Sequence, residues 1–151
     1  PLYSSAASDV YKRQVLDGMV SVVTDGTGRG VFAGAGYTSG GKTGTAQAVT
    51  IGQKDRYDAK RLAERQRDHG LYLAFAPAQN PQLVVAAIVE NAGWGAQVAA
   101  PIVRRVFDYA LLGQYPSEQD IAAVRQGRGG PPLGTPRAAA DIPLVPIASG
   151  D

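Results

Sequence analysis

Cysteine is missing from this chain of 151 residues, and histidine, methionine and tryptophan occur once each. The lack of cysteine excludes disulfide bonds and thiolate metal sites, and we expect neither a metal nor another cofactor. No hydrophobic run approaches the roughly 18 residues that a membrane-spanning helix needs. A net charge of +2 is too small to predict nucleic-acid binding. Apolar residues make up 44% of the chain, which is enough for a folded core.

Composition divides the chain into three segments. Residues 1–14 are polar, begin without methionine and resemble translated adaptor sequence, so we expect a non-native lead there. Residues 15–115 carry the periodic patterns of a folded domain. Residues 116–151 are rich in proline, glycine and alanine, and we expect a largely disordered tail. Within that tail only Ser117–Gln126 has the pattern of a helix, with Ser117 as its cap.

Two apolar patterns with helical spacing predict helices. From Val15 to Thr24, one face of the predicted helix is apolar and consists of Leu16, Met19, Val20 and Val23. The second helix begins near Pro101, which suits a first helical turn, and ends at Gly113 as a cap. Its apolar stripe consists of Ile102, Val103, Val106, Phe107, Ala110 and Leu111.

Three segments between these helices favour β-strands. β-Branched residues are frequent in 41–51. Residues of Leu71–Ala76 alternate between two faces, with Leu71, Leu73 and Phe75 on one of them. Leu83–Val89 is almost entirely apolar, and such a run is typical of a central strand covered on both faces. The short turn between these two predicts an antiparallel hairpin. The charged residues 53–69 are typical of a solvated insertion, with a short helix at Asp58–Arg67. We therefore expect a mixed α/β (α+β) fold, an antiparallel sheet flanked by helices.

The sequence Lys42-Thr43-Gly44 suits the edge of an acyl-transfer site. The lysine supplies positive charge for a substrate carboxylate, and the threonine hydroxyl can hydrogen-bond the same group. Glycine has no Cβ, so a substrate backbone can lie flat against the strand. The tripeptide therefore predicts an edge that binds a ligand with a carboxylate.

The same lysine also completes a phosphate-loop pattern, G-x-x-x-x-G-K-[ST], over Gly36–Thr43. This alternative makes the chain part of a nucleotide hydrolase, with Glu90 after an apolar strand as the acidic residue for magnesium. A phosphate loop needs a helix directly after it, because the N-terminal amides of that helix hold the phosphates. The residues after Thr43 are poor helix formers, so we disfavour this alternative.

Ser39 and Lys42 satisfy S-x-x-K, the pattern of a serine nucleophile with its lysine base. In that role both side chains must lie on one helical turn. Gly40 and Gly41 disfavour a helix at this point. We therefore reject Ser39 as the nucleophile.

Longer stretches resemble the class B penicillin-binding proteins, most closely the penicillin-binding protein 2 group that maintains rod shape in Gram-negative bacteria. Four stretches between Val15 and Tyr115 carry this resemblance: GMVSVVTDGTGRG, GKTGTAQ, YDAKRLAERQRDHGLYLAFAPAQNPQLVVAAIVENAG and AAPIVRRVFDYALLG. The resemblance implies that residues 15–115 are the C-terminal part of a transpeptidase domain, with a partial penicillin-binding/β-lactamase-like fold.

The resemblance also implies a role for each residue of the motif strand. Lys42 would hold positive potential beside the nucleophile, and Thr43 would bind the carboxylate of a D-Ala-D-Ala stem or of a β-lactam. Gly44 would allow the substrate to approach closely. The backbone N–H of Thr45 would form half of an oxyanion hole. Gln47 matches the family pattern and would either contribute weakly to substrate binding or have a structural role.

By the same resemblance, the parent protein is a serine-type D,D-transpeptidase that cross-links peptidoglycan stem peptides and binds β-lactams. It would act on the periplasmic face of the bacterial inner membrane, beside a membrane glycosyltransferase of the elongation machinery. The family's S-x-x-K motif occurs here only at the rejected Ser39, and its S-x-N motif does not occur. We expect the chain alone to be inactive, since acyl transfer needs an activated hydroxyl. The alternative is a non-catalytic module of the same kind that binds cell-wall material.

Two residues that occur only once invite functional interpretations. His69 has no Asp or Ser in a recognisable triad arrangement, so we expect it to order local hydrogen bonds at the start of a strand. Trp94 lies in a glycine-containing loop, and we expect it to pack rather than to stack on a substrate.

Overall fold

The computed structural model places three antiparallel strands at the centre of residues 2–48, 62–126 and 128–142, the parts of the chain that it describes. The helices are α1 (Leu2–Thr24), α2 (Arg29–Phe32), α3 (Gly95–Val98), α4 (Ala100–Leu112) and α5 (Glu118–Arg125). The strands are β1 (Gly40–Ala46), β2 (His69–Ala76), β3 (Leu83–Val89), β4 (Gln114–Tyr115) and β5 (Arg137–Ala138). Short 3₁₀ helices lie at Glu64–Gln66 and Ala139–Asp141. The expected mixed fold with an antiparallel sheet and helices is confirmed.

The central sheet has the order β1-β2-β3, with both pairs antiparallel. Leu73 of β2 is the cross-strand partner of Lys42 on one side and of Ala86 on the other. The predicted hairpin is confirmed, and β3 has the predicted bounds. β1 ends at Ala46, while residues 49–61, which include part of the predicted strand and of the predicted insertion, lie outside the described residues.

One face of this sheet forms the core with the helices. Alternate residues of β2 point to that face, and Tyr72, Ala74 and Ala76 are buried there. Val103 and Phe107 of α4 are fully buried in the same cluster, which α2 completes with Val31 and Phe32. The short side chains of β2 let α4 lie close to the sheet.

The opposite face of the sheet is mostly open, although Phe75 on that face is buried. Leu73 is 45% exposed, Val84 64% and Ile88 66%. The prediction that Leu83–Val89 is a central strand covered on both faces is therefore wrong for the described residues. β3 lies at the edge of the described sheet, and its residues alternate between half-buried and exposed because only one face carries helices.

Helix α1 begins at Leu2 and not at Val15, where the apolar pattern predicts its start. Residues 2–14 contain neither proline nor glycine, so nothing in the chain interrupts the helix there. Three predicted face residues, Met19, Val20 and Val23, are half-buried, whereas Leu16 is exposed. None of the helices in the described ranges combines the length and apolarity needed to cross a membrane.

Helix α4 ends as predicted, with Gly113 in the left-handed region at φ 63°. Its predicted stripe is only partly correct, because Ile102 and Val106 are exposed. These two residues line a groove of about 1370 Å³ between α4 and α5.

Helix α5 follows the predicted cap. Ser117 and Asp120 form a reciprocal capping box, in which each side chain accepts a hydrogen bond from the other's backbone N–H. The structure differs from the expected disorder in residues 128–142, where β5 pairs with β4. Hydrogen bonds explain why this segment is ordered, since Gly134 N donates to Asp120 and Arg137 donates to the carbonyl of Pro116.

Candidate functional site

The Lys-Thr-Gly sequence lies in the middle of β1. Lys42 is exposed, Thr43 and Gly44 are half-buried, and Thr45 is exposed. The ammonium group of Lys42 donates a hydrogen bond to the carbonyl of Thr43 at 2.8 Å. Gln47 is exposed and directly follows the end of the strand. All the predicted site residues therefore lie within one short segment of the sheet edge.

Alternation along β1 divides the motif between the two sheet faces. Lys42 is paired with Leu73, so its side chain belongs to the open face. Thr43 is paired with Tyr72 and Thr45 with Gly70, so both threonines belong to the face that carries α4. A ligand at this edge can therefore meet a cation on one side and hydroxyls on the other.

The contact between Gly95 and β1 fixes the direction of the motif's backbone groups. A Cβ on Gly95 would lie 2.7 Å from the carbonyl oxygen of Gly44 and closer still to that of Leu71. Two carbonyl oxygens near one point must both lie between the strands, so Gly44 and Leu71 form a hydrogen-bonded pair. The N–H and C=O groups of Thr43 and Thr45 then point away from β2, towards the free edge of β1.

Two glycines before the lysine make room for aromatic rings of β2. A Cβ on Gly40 would lie 2.5 Å from the ring of Phe75, and one on Gly41 would overlap the hydroxyl of Tyr72. These glycines belong to an extended strand, so Ser39 and Lys42 do not share a helical turn. The helical turn that the S-x-x-K role requires is therefore not formed in this segment. Its side chain is buried, and its Oγ has no hydrogen-bond partner.

The phosphate-loop alternative fails for the same reason. Its lysine and threonine lie inside β1, and the strand continues to Ala46 where a phosphate-binding helix would have to begin. The same segment of extended backbone therefore excludes both alternative motifs. In the described residues, histidine and acidic side chains form no cluster suited to a metal ion.

A buried ionic cluster holds the segment that leads into β1. Asp108 of α4 is completely buried and accepts from Arg104 Nε at 2.7 Å and from the Tyr37 hydroxyl at 3.0 Å. Arg104 also donates to the carbonyl oxygens of Val31 and Ala33. Burial, and then the neighbouring Asp108 carboxylate, raises the pKa of Tyr37 well above its usual value. The cluster thus joins α4 to the backbone just before the motif strand.

The same carboxylate is linked to the C-terminal elements through Arg105. This residue donates to Asp108 at 2.7 Å, to Asp120 of α5 and to the carbonyl oxygen of Gly134. One carboxylate therefore connects the lead-in of β1, helix α4 and the α5 region. Sequence reasoning missed this cluster, although Arg104 and Asp108 are spaced four apart beside the buried residues of α4.

His69 and Trp94 each occur once in the chain, and only the prediction for His69 is confirmed. Nδ1 of His69 accepts a hydrogen bond from the backbone N–H of Asn91 at 3.0 Å, which confirms the expected local role at the start of β2. The expectation that Trp94 packs is wrong, because this side chain is 66% exposed. The reason is that Gly95, not Trp94, makes the contact between this loop and the sheet.

The profile of the Penicillin binding protein transpeptidase domain matches residues 5–108 of the sequence. The chain belongs to this family. The match includes most of α1, the central sheet and most of α4, so the motif strand lies well inside it.

Relatives within the transpeptidase family match about two thirds of the chain. The peptidoglycan D,D-transpeptidase MrdA of Haemophilus influenzae is 45% identical over 101 residues, which are 66% of this chain and 16% of that protein. The PBP2 structure from Pseudomonas aeruginosa, in complex with WCK 5153, is 42% identical with a TM-score of 0.53, over 66% of this chain and 19% of that one. Helicobacter pylori PBP2, in complex with MreC, is 25% identical with a TM-score of 0.52, over 67% and 17%. The chain thus spans less than a fifth of each relative.

Proposed function

We propose that β1 is the substrate-binding strand of a peptidoglycan D,D-transpeptidase. Lys42 and Thr43 hold the terminal carboxylate of a D-Ala-D-Ala stem peptide, or the equivalent carboxylate of a β-lactam. A Lys-Thr-Gly sequence on an edge strand, with its lysine exposed, in a chain of the penicillin-binding transpeptidase family supports this function. The activity in the name of the MrdA relative is the same one.

The ligand lies along the free edge of β1 in this proposal. Gly44 leaves space for its backbone, and Gln47 contributes to binding at the end of the strand. The N–H of Thr45 points to that edge and donates to the oxyanion that forms when the scissile carbonyl is attacked. One such donor lowers the barrier by about 3 kcal/mol in a preorganised site. Lys42 adds positive potential at the same place.

The attacking hydroxyl is not supplied by the S-x-x-K sequence of this chain. Ser39 is buried and precedes an extended strand, so Lys42 cannot activate it in the way a helical pair would. We therefore propose that residues 15–115 provide the binding edge of the domain and that the chain alone forms no acyl-enzyme. Covalent labelling of the isolated chain by a fluorescent penicillin would contradict this part.

The cellular setting follows from the same assignment. We propose that the parent enzyme works on the periplasmic face of the inner membrane, where peptidoglycan stem peptides are found, beside a membrane glycosyltransferase of the elongation machinery. The complex of Helicobacter pylori PBP2 with MreC supports membership of a larger assembly. Co-purification of the parent with the glycosyltransferase from solubilised membranes would test this setting.

A chimera tests the function of the strand directly. Residues 15–115 replace the matching C-terminal segment of Pseudomonas aeruginosa PBP2, and acylation by a fluorescent penicillin is followed over time. We expect the chimera to be acylated, and Lys42→Ala and Thr43→Ala to slow acylation by about 10- to 100-fold because each removes a charge-assisted contact to the carboxylate.

Arg29→Ala is the matched control, since Arg29 is an exposed cation on α2, outside the motif strand. It should leave the acylation rate unchanged. A chimera that folds and binds penicillin reversibly, but is never acylated, would favour the non-catalytic module. Equal rates for the Lys42 and Arg29 variants would refute the assigned role of the motif.

A further inference from the structure

The groove between α4 and α5 has an apolar floor that is open to solvent. Ile102 and Val106 of α4 and Val124 of α5 line it, and all three side chains are exposed. Adjacent apolar side chains of this kind mark a surface that binds another apolar segment. The groove has a volume of about 1370 Å³, which exceeds the roughly 300–1,000 Å³ of a small-molecule site. Its size and its aliphatic lining therefore suit a stretch of polypeptide.

The two ends of the groove differ in charge. Tyr109 and Tyr115 line one end, where their rings are in edge contact with centroids 5.1 Å apart. Helix α5 begins shortly after Tyr115 and lines the groove, so Arg125 lies about 12 Å beyond the start of the helix. Arg125 and Arg128 are exposed, and no acidic side chain within the described ranges forms an ion pair with either of them. The end of the groove away from the tyrosines is therefore positively charged.

The last described residues lie close to the tyrosine end of the groove. Arg137 of β5 is the cross-strand partner of Tyr115, so their Cα atoms are about 5 Å apart. The 3₁₀ helix Ala139–Asp141 follows and rises by about 2 Å per residue. Ile142 comes next, and residues 143–151 lie outside the described residues. These residues therefore start within reach of the groove.

The sequence of residues 143–151, PLVPIASGD, matches the order of surfaces along the groove. The aliphatic residues Leu144, Val145 and Ile147 come first, and Asp151 follows them. A chain of this length spans at most about 30 Å, which is longer than α5. Its two prolines restrict the backbone, and this restriction lowers the entropy that is lost on binding.

We propose that residues 143–151 bind in the groove of their own chain. The aliphatic side chains cover the floor between α4 and α5, and the carboxylate of Asp151 pairs with Arg125 and Arg128. Because the segment is tethered, its effective concentration at the groove is high, and a modest intrinsic affinity is enough. Bound in this way, the segment holds α5 against α4 and shields the apolar outer side of α4 from other partners.

The lack of cysteine makes a site-specific test possible. Ser149→Cys introduces a single thiol, and a nitroxide attached to it broadens the amide signals of nearby residues. In the full, isotope-labelled chain we expect the signals of Ile102 and Val124 to be lost, while that of Ile88 on the open face of the sheet persists. Loss at Ile88 alone, or at none of the three, would overturn the proposal.

A mixed sample distinguishes binding within one chain from binding between two. Isotope-labelled chain without the nitroxide is combined with unlabelled chain that carries it, and the signals of Ile102 and Val124 should then persist. Their loss in this sample would show that the groove binds a second copy, which contradicts binding within one chain.

Charge reversal tests the contact at the two arginines. Asp151→Arg should weaken binding by at least about two- to fivefold, the value of one exposed ion pair, and so reduce the broadening at Val124. Adding Arg125→Glu and Arg128→Glu to the same chain should restore it. Arg29→Glu reverses an exposed charge on α2, outside the groove, and is the matched control that should change nothing. Equal broadening in the Asp151 and Arg29 variants would overturn the placement of the segment in the groove.

Discussion

The hydroxyl of Tyr37 donates a hydrogen bond to the buried carboxylate of Asp108, with 3.0 Å between the oxygens. The same carboxylate accepts from Arg104 at 2.7 Å, and both charged side chains are almost fully shielded from water. Asp108→Ala would leave the Arg104 guanidinium buried without its counter-charge. We expect a loss of about 3–5 kcal/mol in the free energy of unfolding, measured by urea titration.

The exposed residue Asp141 provides the control for this substitution. Asp141→Ala should change the free energy of unfolding by less than about 0.5 kcal/mol. A comparable loss in both variants would show that the buried cluster does not have the stabilising role assigned to it.

Substitution by phenylalanine at Tyr37 and at Tyr72 removes a buried hydroxyl in each case, so the two variants can be compared directly. The Tyr37 hydroxyl has partners in Asp108 and in the carbonyl of Arg104, whereas the Tyr72 hydroxyl is buried with no hydrogen-bond partner. Tyr37→Phe should therefore lower the free energy of unfolding by about 1–2 kcal/mol, and Tyr72→Phe should leave it unchanged or raise it. Thermal unfolding of the two variants in parallel decides the question. Equal losses would mean that the Tyr72 hydroxyl is hydrogen-bonded after all.

Burial raises the pKa of Tyr72 from 10.0 to about 12. The folded state therefore favours the protonated phenol, and its stabilising effect is complete below pH 10 and is lost as the pH rises towards 12. We expect the urea concentration at the unfolding midpoint to decrease as the pH rises from 10 to about 12. The decrease should be smaller in Tyr72→Phe, which has no phenol at this position. An identical decline in both proteins would show that Tyr72 does not titrate in this range.

The sequence predicts the parts of the fold that local pattern determines. Polar and apolar residues do not alternate in Leu83–Val89, but turn residues bound the segment, and the predicted bounds of the strand are correct. Gly113 and Ser117 end and begin helices at the predicted positions, because capping depends on a few neighbouring residues. Residues 41–51 are predicted to be a strand from their β-branched residues, and the described part of this segment is a strand as far as Ala46.

Long-range contacts account for what the sequence does not predict. Nothing near Trp94 indicates that Gly95 would take the contact with the sheet and leave the indole exposed. Likewise, Tyr37 and Asp108 are 71 positions apart, and only the packing of α4 on the sheet brings them together. The burial of one face of β3 and not of the other depends on which elements cover the sheet, which its own residues do not encode.

The open face of the sheet should make the isolated chain self-associate. Val84 and Ile88 are about two-thirds exposed and lie beside the equally apolar Leu73. Replacing Val84 and Ile88 by threonine keeps the β-branched shape suited to a strand and lowers the apolar area. We expect this double variant to show less concentration-dependent association by sedimentation velocity.

Val85 gives the contrasting substitution on the same strand. It packs against the core on the other face, so Val85→Thr should destabilise the fold and leave association unchanged or increased. If the variant of the open face associates as strongly as the original chain, a different surface must be responsible.

The pairing of β1 with β2 bears on how far the connection between these two strands can vary in length. The strands of the β2–β3 hairpin are joined by residues 77–82, whereas β1 reaches β2 only after residues 47–68. The free energy of closing a loop rises by only about 0.6 kcal/mol each time the number of residues in the loop doubles. The register that opposes Lys42 to Leu73 is set by the strands and by the glycines that accommodate Phe75 and Tyr72. Insertions and deletions between the two strands can therefore accumulate without moving the motif along the sheet.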